Sequence, residues 1–135
     1  MNLPSLPQDV KVQAVTALVQ SGKEPSPANL IAESKKRKHP LHGFFWDTPE
    51  STWAEVGRYE GARRILRTTK VDLSFGGKSV TMRAVEFCRD EDGGRWASMQ
   101  DIVNSDELRK GYMLEVNRLL TSAQEKMARL IDLTD

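Results

Sequence analysis

Lys70-Val71-Asp72-Leu73-Ser74-Phe75-Gly76-Gly77-Lys78-Ser79-Val80-Thr81-Met82 is the stretch that decides the fold class. Val71, Leu73 and Phe75 alternate with polar residues, which is the period of a half-buried strand. Gly76-Gly77 is a hairpin turn signal. Val80 and Met82 resume the alternation on a return strand that runs to about Cys88. The period slips near Ala84, where a bulge is expected. Arg89 to Gly94 is a polar turn ending in two glycines, and Arg95 to Met99 reads as a third short strand. Antiparallel β-structure therefore occupies residues 70–99, with helical patterns on both sides.

Upstream, Pro4 and Pro7 make residues 1–7 an extended lead-in, and residues 8–68 read as helical. Val12, Val15 and Val19, flanked by Ala14 and Leu18, predict an amphipathic helix that ends at Gly22. Ser26-Pro27 is an N-cap followed by an N1 proline and predicts a second helix. That helix is expected to bury Ala28, Leu30 and Ile31 and to run into Lys35-Lys36-Arg37-Lys38, until His39-Pro40 stops it. Leu41-His42-Gly43-Phe44-Phe45-Trp46 is too aromatic to stay in water and is expected to plug the core. Asp47-Thr48-Pro49-Glu50 reads as a capping signal for a third helix from about Pro49 to Arg67. Its apolar arc holds Ala54, Val56, Tyr59, Ala62, Ile65 and Leu66, while Glu60, Arg63, Arg64 and Arg67 share the other. Arg58 falls within the apolar arc and needs an anionic partner; Asp47 is the expected one. Asp47 and Arg58 thus form a structural pair, with a binding role as the alternative.

Downstream, Ser98 or Asp101 opens a helical turn through Val103, and Ser105-Asp106-Glu107 caps the last element. Leu108, Tyr112, Val116, Leu119, Leu120, Ala123, Met127, Leu130 and Ile131 predict a helix over residues 105–133, ~40 Å long at 1.5 Å per residue. One side of a small domain cannot cover such a length. Its far end either packs on a second chain as a coiled-coil-like seam or stays part-exposed. A homodimer through this helix is the expectation. Gly111 either bends the helix or allows close packing. The 135 residues form a single α+β domain. Three N-terminal helices, a small antiparallel hairpin or sheet and a long C-terminal helix follow one another, an order seen in many winged helix-turn-helix regulators and also in unrelated small α+β folds.

Apolar residues are 39% and charged residues 29%, a soluble globular composition. No apolar run approaches the ~20 residues of a membrane helix, and the N-terminal residues carry no secretory pattern. The single cysteine, Cys88, excludes an intramolecular disulfide and a multi-thiolate zinc site, and it fits a reducing cytoplasm. Phe75-Gly76-Gly77-Lys78-Ser79 ends like a P-loop, but Asp72 stands where glycine is required and a strand follows where a helix is required. His39 and His42, taken with Asp47 and Cys88, do not have recognised zinc-ligand spacing. Asp90-Glu91-Asp92 sits in a glycine-flanked turn, where solvated charge is the default. No catalytic residue, metal or cofactor is expected.

Pro40-Leu41-His42, Phe45-Trp46-Asp47, Ala54, Arg58, Ala62-Arg63 and Ile65-Leu66 carry a family resemblance. Residues 27–66 resemble an SPLHxxFxWD…YRxxxAR-type segment of small uncharacterised proteins encoded by bacteriophages and prophages. His39, Thr48-Pro49 and Gly57 depart from the pattern. The resemblance implies a phage or prophage origin and a bacterial host cytoplasm, and it brings no catalytic chemistry.

Net charge is +1, but eleven basic residues stand against seven acidic through position 71, and nine against twelve thereafter. Phosphate binding needs local rather than net positive charge. Lys35, Lys36, Arg37 and Lys38 form one basic cluster, and Arg63, Arg64 and Arg67 a second. If they share a face, they suit the phosphates of double-stranded DNA, with Lys78 at the hairpin tip as a wing. The first expectation is therefore a phage-type DNA-binding or regulatory protein. The alternative is a non-enzymatic protein-binding module, such as a phage inhibitor or adaptor of a host protein or a virion assembly component. In that case the turn at Asp90-Glu91-Asp92 and the C-terminal helix make the contact.

Overall fold

In the computed structural model, which describes residues 3–75 and 77–134, helices lead, two small sheets follow, and a long helix closes the chain. The order is α1 (Gln8–Gln20), α2 (Pro27–Ser34), a π-helical turn (Gly43–Asp47), α3 (Glu50–Val56), α4 (Arg58–Thr68), β1 (Lys70–Phe75), β2 (Lys78–Arg83), β3 (Val85–Cys88), β4 (Arg95–Ser98), α5 (Met99–Asn104) and α6 (Asp106–Thr134). The class is α+β. Among the described residues four α-helices, rather than three, precede the first strand.

α1 buries Ala14, Val15 and Leu18, the inward residues of its valine-leucine stripe. α2 starts as its capping residues dictate: the Ser26 hydroxyl accepts from the Asn29 backbone N–H at 3.2 Å, and Pro27 takes the first position. It does not continue into the basic tract. α2 stops at Ser34, and Lys35 to Lys38 occupy the turns beyond it. The physical cause is competition for Ser34. Its carbonyl accepts from His42 Nδ1 at 2.9 Å, and its hydroxyl accepts from Trp46 Nε1 at 3.0 Å. Folding the aromatic segment back onto Ser34 takes the carbonyl that a continuing helix would use. Leu30 is buried as expected, Ile31 is half-buried and Ala28 is exposed.

The expected third helix is two helices. Gly57 has φ +83°, a left-handed conformation that only glycine adopts cheaply, and it separates α3 from α4. The break lets Trp53 turn inward against Phe44 and Phe45, with ring centroids 5.5 and 5.7 Å apart. Tyr59 and Ala54, placed on the apolar arc by a continuous helix, are exposed. The capping expectation is also corrected. Pro49 is the N-cap of α3 with no side-chain cap, because Asp47 is used up as the last residue of the π-helical turn.

β1 and β2 form the antiparallel hairpin read from the sequence, with Leu73 opposite Val80 and Val71 opposite Met82. Gly77 has φ +82°, while Gly76, the other half of the expected tip, lies outside the described residues. The return strand does not bulge at Ala84; it breaks there and changes sheet. The Ala84 N–H donates to the Thr69 carbonyl at 2.9 Å, and its own carbonyl accepts from the Met99 N–H at 2.9 Å. β3 then pairs with β4, with Phe87 opposite Trp96.

Two apolar clusters result. The larger joins α1, α2, the aromatic turn, α3 and α4, centred on Phe45, Leu30, Leu41 and Leu66. The smaller holds Cys88, Ala97, Met99, Ile102 and Leu108 where β3, β4, α5 and the start of α6 meet. Ser105 caps α6, accepting from the Leu108 N–H at 3.2 Å. Gly111 resolves the question of bend or close packing. A Cβ there would lie 2.3 Å from the Arg89 carbonyl oxygen, and the Arg89 N–H donates to the Gly111 carbonyl at 3.1 Å. Within α6 only Leu108 and Gly111 are buried. Beyond Val116 only Ser122 is half-buried, and every other described residue of the helix is exposed.

Candidate interaction surfaces

Several of the basic residues singled out in the sequence are held in ion pairs. Arg63, Arg64 and Arg67 all converge on Glu60, at 3.2, 3.5 and 3.0 Å. Spacings of three, four and seven on one helix put them around that carboxylate. Lys36 pairs with Glu33 at 3.1 Å, and Lys23 pairs with the same carboxylate. The two ammonium groups hold the Glu33 carboxyl down to about 2. Lys35 Nζ sits 5.9 Å from the Trp46 ring centroid. Arg37, Lys38 and Lys78 are exposed. Only Arg63 and Arg67 of the sequence-derived set line the arginine-bearing groove described below.

Arg58 has the partner its half-buried position requires, but that partner is not Asp47. Its guanidinium pairs with Glu50, donates from Nε to the Phe45 carbonyl at 2.9 Å, and lies 4.2 Å from the Trp46 ring centroid. This is a clamp that ties α4 to the aromatic turn. His39 and His42 are similarly occupied with backbone. The Leu41 N–H donates to His39 Nδ1 at 3.0 Å, and burial pushes the His39 imidazole pKa down. Among the described residues no group of three or more His, Cys, Asp or Glu side chains is arranged to hold a metal ion. Cys88 is 1% exposed, and burial raises its thiol to about 11, so the thiolate is scarce at neutral pH.

Two surfaces stand out among the described residues. The first is α6. Met113, Val116, Leu120, Ala123, Met127 and Leu130 follow one another at alternating spacings of three and four residues, the a and d positions of a heptad repeat. Met113, Leu120, Met127 and Leu130 are each more than half exposed. The flanking Leu119, Ile131 and Leu133 broaden the stripe and are also exposed. The seam lies about a quarter-turn round the helix from the stripe that packs on the body. No residue at the seam positions is charged.

The second is a groove of about 480 Å³ between α4, the end of β2, the β3–β4 pair and the inner half of α6, lined by five arginines and several aromatic side chains. Arg83, Arg89 and Arg118 are groove residues that sequence reasoning missed. The spacing of Glu115 to Arg118 and of Arg83 to Glu86 marked local pairs, but nothing in the primary order joined them to α4. Phe87 and Trp96 meet only because their strands pair in that register, with ring centroids 5.8 Å apart at 74°. Arg118 and then Arg89 hold the Glu115 carboxyl below its usual range, and Glu115 in turn holds the Arg118 guanidinium above its own. Burial raises Glu86, against the pull of Arg83.

The fold and these surfaces define a small α+β body carrying a projecting amphipathic helix. No protein-family model, curated protein or solved structure matches the chain. No helix among the described residues is long and apolar enough to cross a membrane.

Proposed function

We propose that this chain is a non-enzymatic assembly module that binds protein through α6, and that the occupant of its seam is a second copy of the same chain. The observation that carries the reading is the exposed heptad seam from Met113 to Leu130 on a 29-residue helix whose outer half leaves its apolar side chains uncovered. A lone helix shorter than about 12–15 residues is marginal in water, and most helices in proteins draw their stability from packing one face. The outer half of α6 has no such packing within its own chain. A heptad seam is self-complementary, because each a and d knob fits the hole of an identical helix. Uncharged seam positions remove the like-charge repulsion that would oppose pairing of identical chains. Each buried leucine or methionine contributes roughly 1.5–3 kcal/mol, enough in sum to offset the ordering of two helices.

The reading in which Lys35, Lys36, Arg37, Lys38, Arg63, Arg64, Arg67 and Lys78 jointly grip duplex DNA has less support. Of that set only Arg63 and Arg67 share a groove, and Lys36 is taken up by Glu33.

Light scattering of the full chain across the micromolar range tests this. The expected mass is twice that of one chain. Leu120→Glu with Met127→Glu gives the single-chain mass and loses helical circular dichroism, while the near-ultraviolet signal of the buried tryptophan remains. A wild-type chain that stays monomeric across that range overturns the reading. So does a double variant that still pairs.

A further inference from the structure

Arg63, Arg67, Arg83, Arg89 and Arg118 line the groove beside the inner half of α6. Three carboxylates serve them. Glu60 holds Arg63 and Arg67, Glu86 lies 3.7 Å from Arg83, and Glu115 is shared by Arg89 and Arg118 at 2.5 Å each. Five guanidiniums against three carboxylates leave an excess of two positive charges. The carboxylates are the deeper groups: Glu115 is 13% exposed, against 42% for Arg89 and 49% for Arg118. A guanidinium carries five N–H donors in a fixed fork. Arg89 spends one on Glu115, and Arg118 spends two. The glutamates thus act as struts that fix the forks in place and leave donors at the surface. An anion meeting such forks does not have to order them first.

Aromatic faces lie beside the forks. Tyr59 is 55% exposed at the groove, and the crossed Phe87–Trp96 pair forms part of its wall. We propose that this groove binds single-stranded nucleic acid, with successive phosphates on the arginine forks and an unstacked base against Tyr59. The combination selects this ligand class. Arginine recognises phosphate through bidentate hydrogen bonds, and a base reaches a tyrosine face only when it has left a duplex stack. A phosphopeptide would use the forks and leave the aromatic faces idle. The six seam positions do not line the groove, although Leu119 at the edge of the stripe does.

Fluorescence anisotropy of a labelled oligothymidylate, titrated with the full chain at low salt, tests the assignment. Binding is expected to weaken with salt, and Arg67→Gln with Arg118→Gln should lower the log–log salt slope by about 0.7 for each phosphate contact removed. Tyr59→Ala should weaken binding about tenfold, the loss of one stacked base. Arg64→Gln, which also loses a contact to Glu60 but lies outside the groove, should leave affinity unchanged. The monomeric Leu120→Glu, Met127→Glu variant should still bind, so failure here and failure of pairing are separable. Circular dichroism checks that each variant is folded. The proposal is overturned if no strand binds, if duplex of the same length binds better, if a phosphoserine peptide binds where the strand does not, or if only charge reversal at Lys35–Lys38 abolishes binding.

Discussion

The two halves of α6 are one helix in two environments. Its first turns pack on β3 and α5, bury Leu108, and bring Gly111 against the Arg89 backbone. Its outer half carries as many apolar residues and buries none of them in its own chain. The difference teaches that hydrophobic periodicity states how much surface a helix must cover and is silent on which chain covers it. Near the body the cover is local. Further out the seam is open to another helix.

Breaking the inner half should cost most. Leu108→Ala removes a core side chain and should cost about 2–5 kcal/mol of the body's stability. Leu130→Ala, measured in the same urea titration at dilution where chains are separate, should cost less than about 0.5 kcal/mol. Equal losses at dilution would mean that the outer half is tied to the body after all.

Gly111→Ala sharpens the contrast at a single atom. The new Cβ meets a backbone oxygen, which cannot rotate away, so a loss of about 1–3 kcal/mol is expected. An alanine placed on the exposed outer half has nothing to strike. Gln124 is exposed there, and Gln124→Ala should be within about 0.5 kcal/mol of wild type. Thermal unfolding of both variants makes the comparison.

Cys88 reports on the inner cluster without perturbing it. With its thiol buried and raised to about 11, labelling by a thiol reagent at neutral pH should be slow in the folded chain. It should reach the free-thiol rate in denaturant. In Leu108→Ala it should speed up, and in Leu130→Ala it should not.

The smallest effect lies far from α6, at Glu33. Its carboxyl titrates at about 2 in the fold, below its ordinary value of 4.5, because Lys23 and Lys36 favour the charged form. A lowered acid pKa contributes stability that is present above the ordinary value and lost as pH falls through the folded one. Wild type should therefore lose stability relative to Glu33→Gln between about pH 4.5 and 2, and the difference should be flat above about pH 5. A difference that changes at higher pH would assign the effect to another group.

Much of the fold was legible from short-range rules. Ser26-Pro27 capped α2, Val71-Leu73-Phe75 alternated as a strand, and Ser105 capped α6. Each of these depends on neighbours within a few residues. The errors share a cause of another kind. Helix α2 stopped early because His42 and Trp46 claimed Ser34 from eight and twelve residues away. Gly57 split the third helix where the apolar arc suggested continuity, because burying Trp53 required the turn. Arg58 took Glu50 and the Phe45 carbonyl in place of Asp47.

The seam on α6 was present in the primary order as spacings of three and four, since a helix converts spacing directly into a face. The arginine groove was not. Arg67, Arg83, Arg89 and Arg118 belong to four separate segments, and only the sheet change at Ala84, together with the Gly111–Arg89 contact, brings them round one hollow. Local chemistry decided where most elements begin, because caps, turns and periodicity act over a few residues, while packing set the end of α2 and the split at Gly57. Tertiary packing alone decided which distant charges became neighbours, because that depends on how the elements meet.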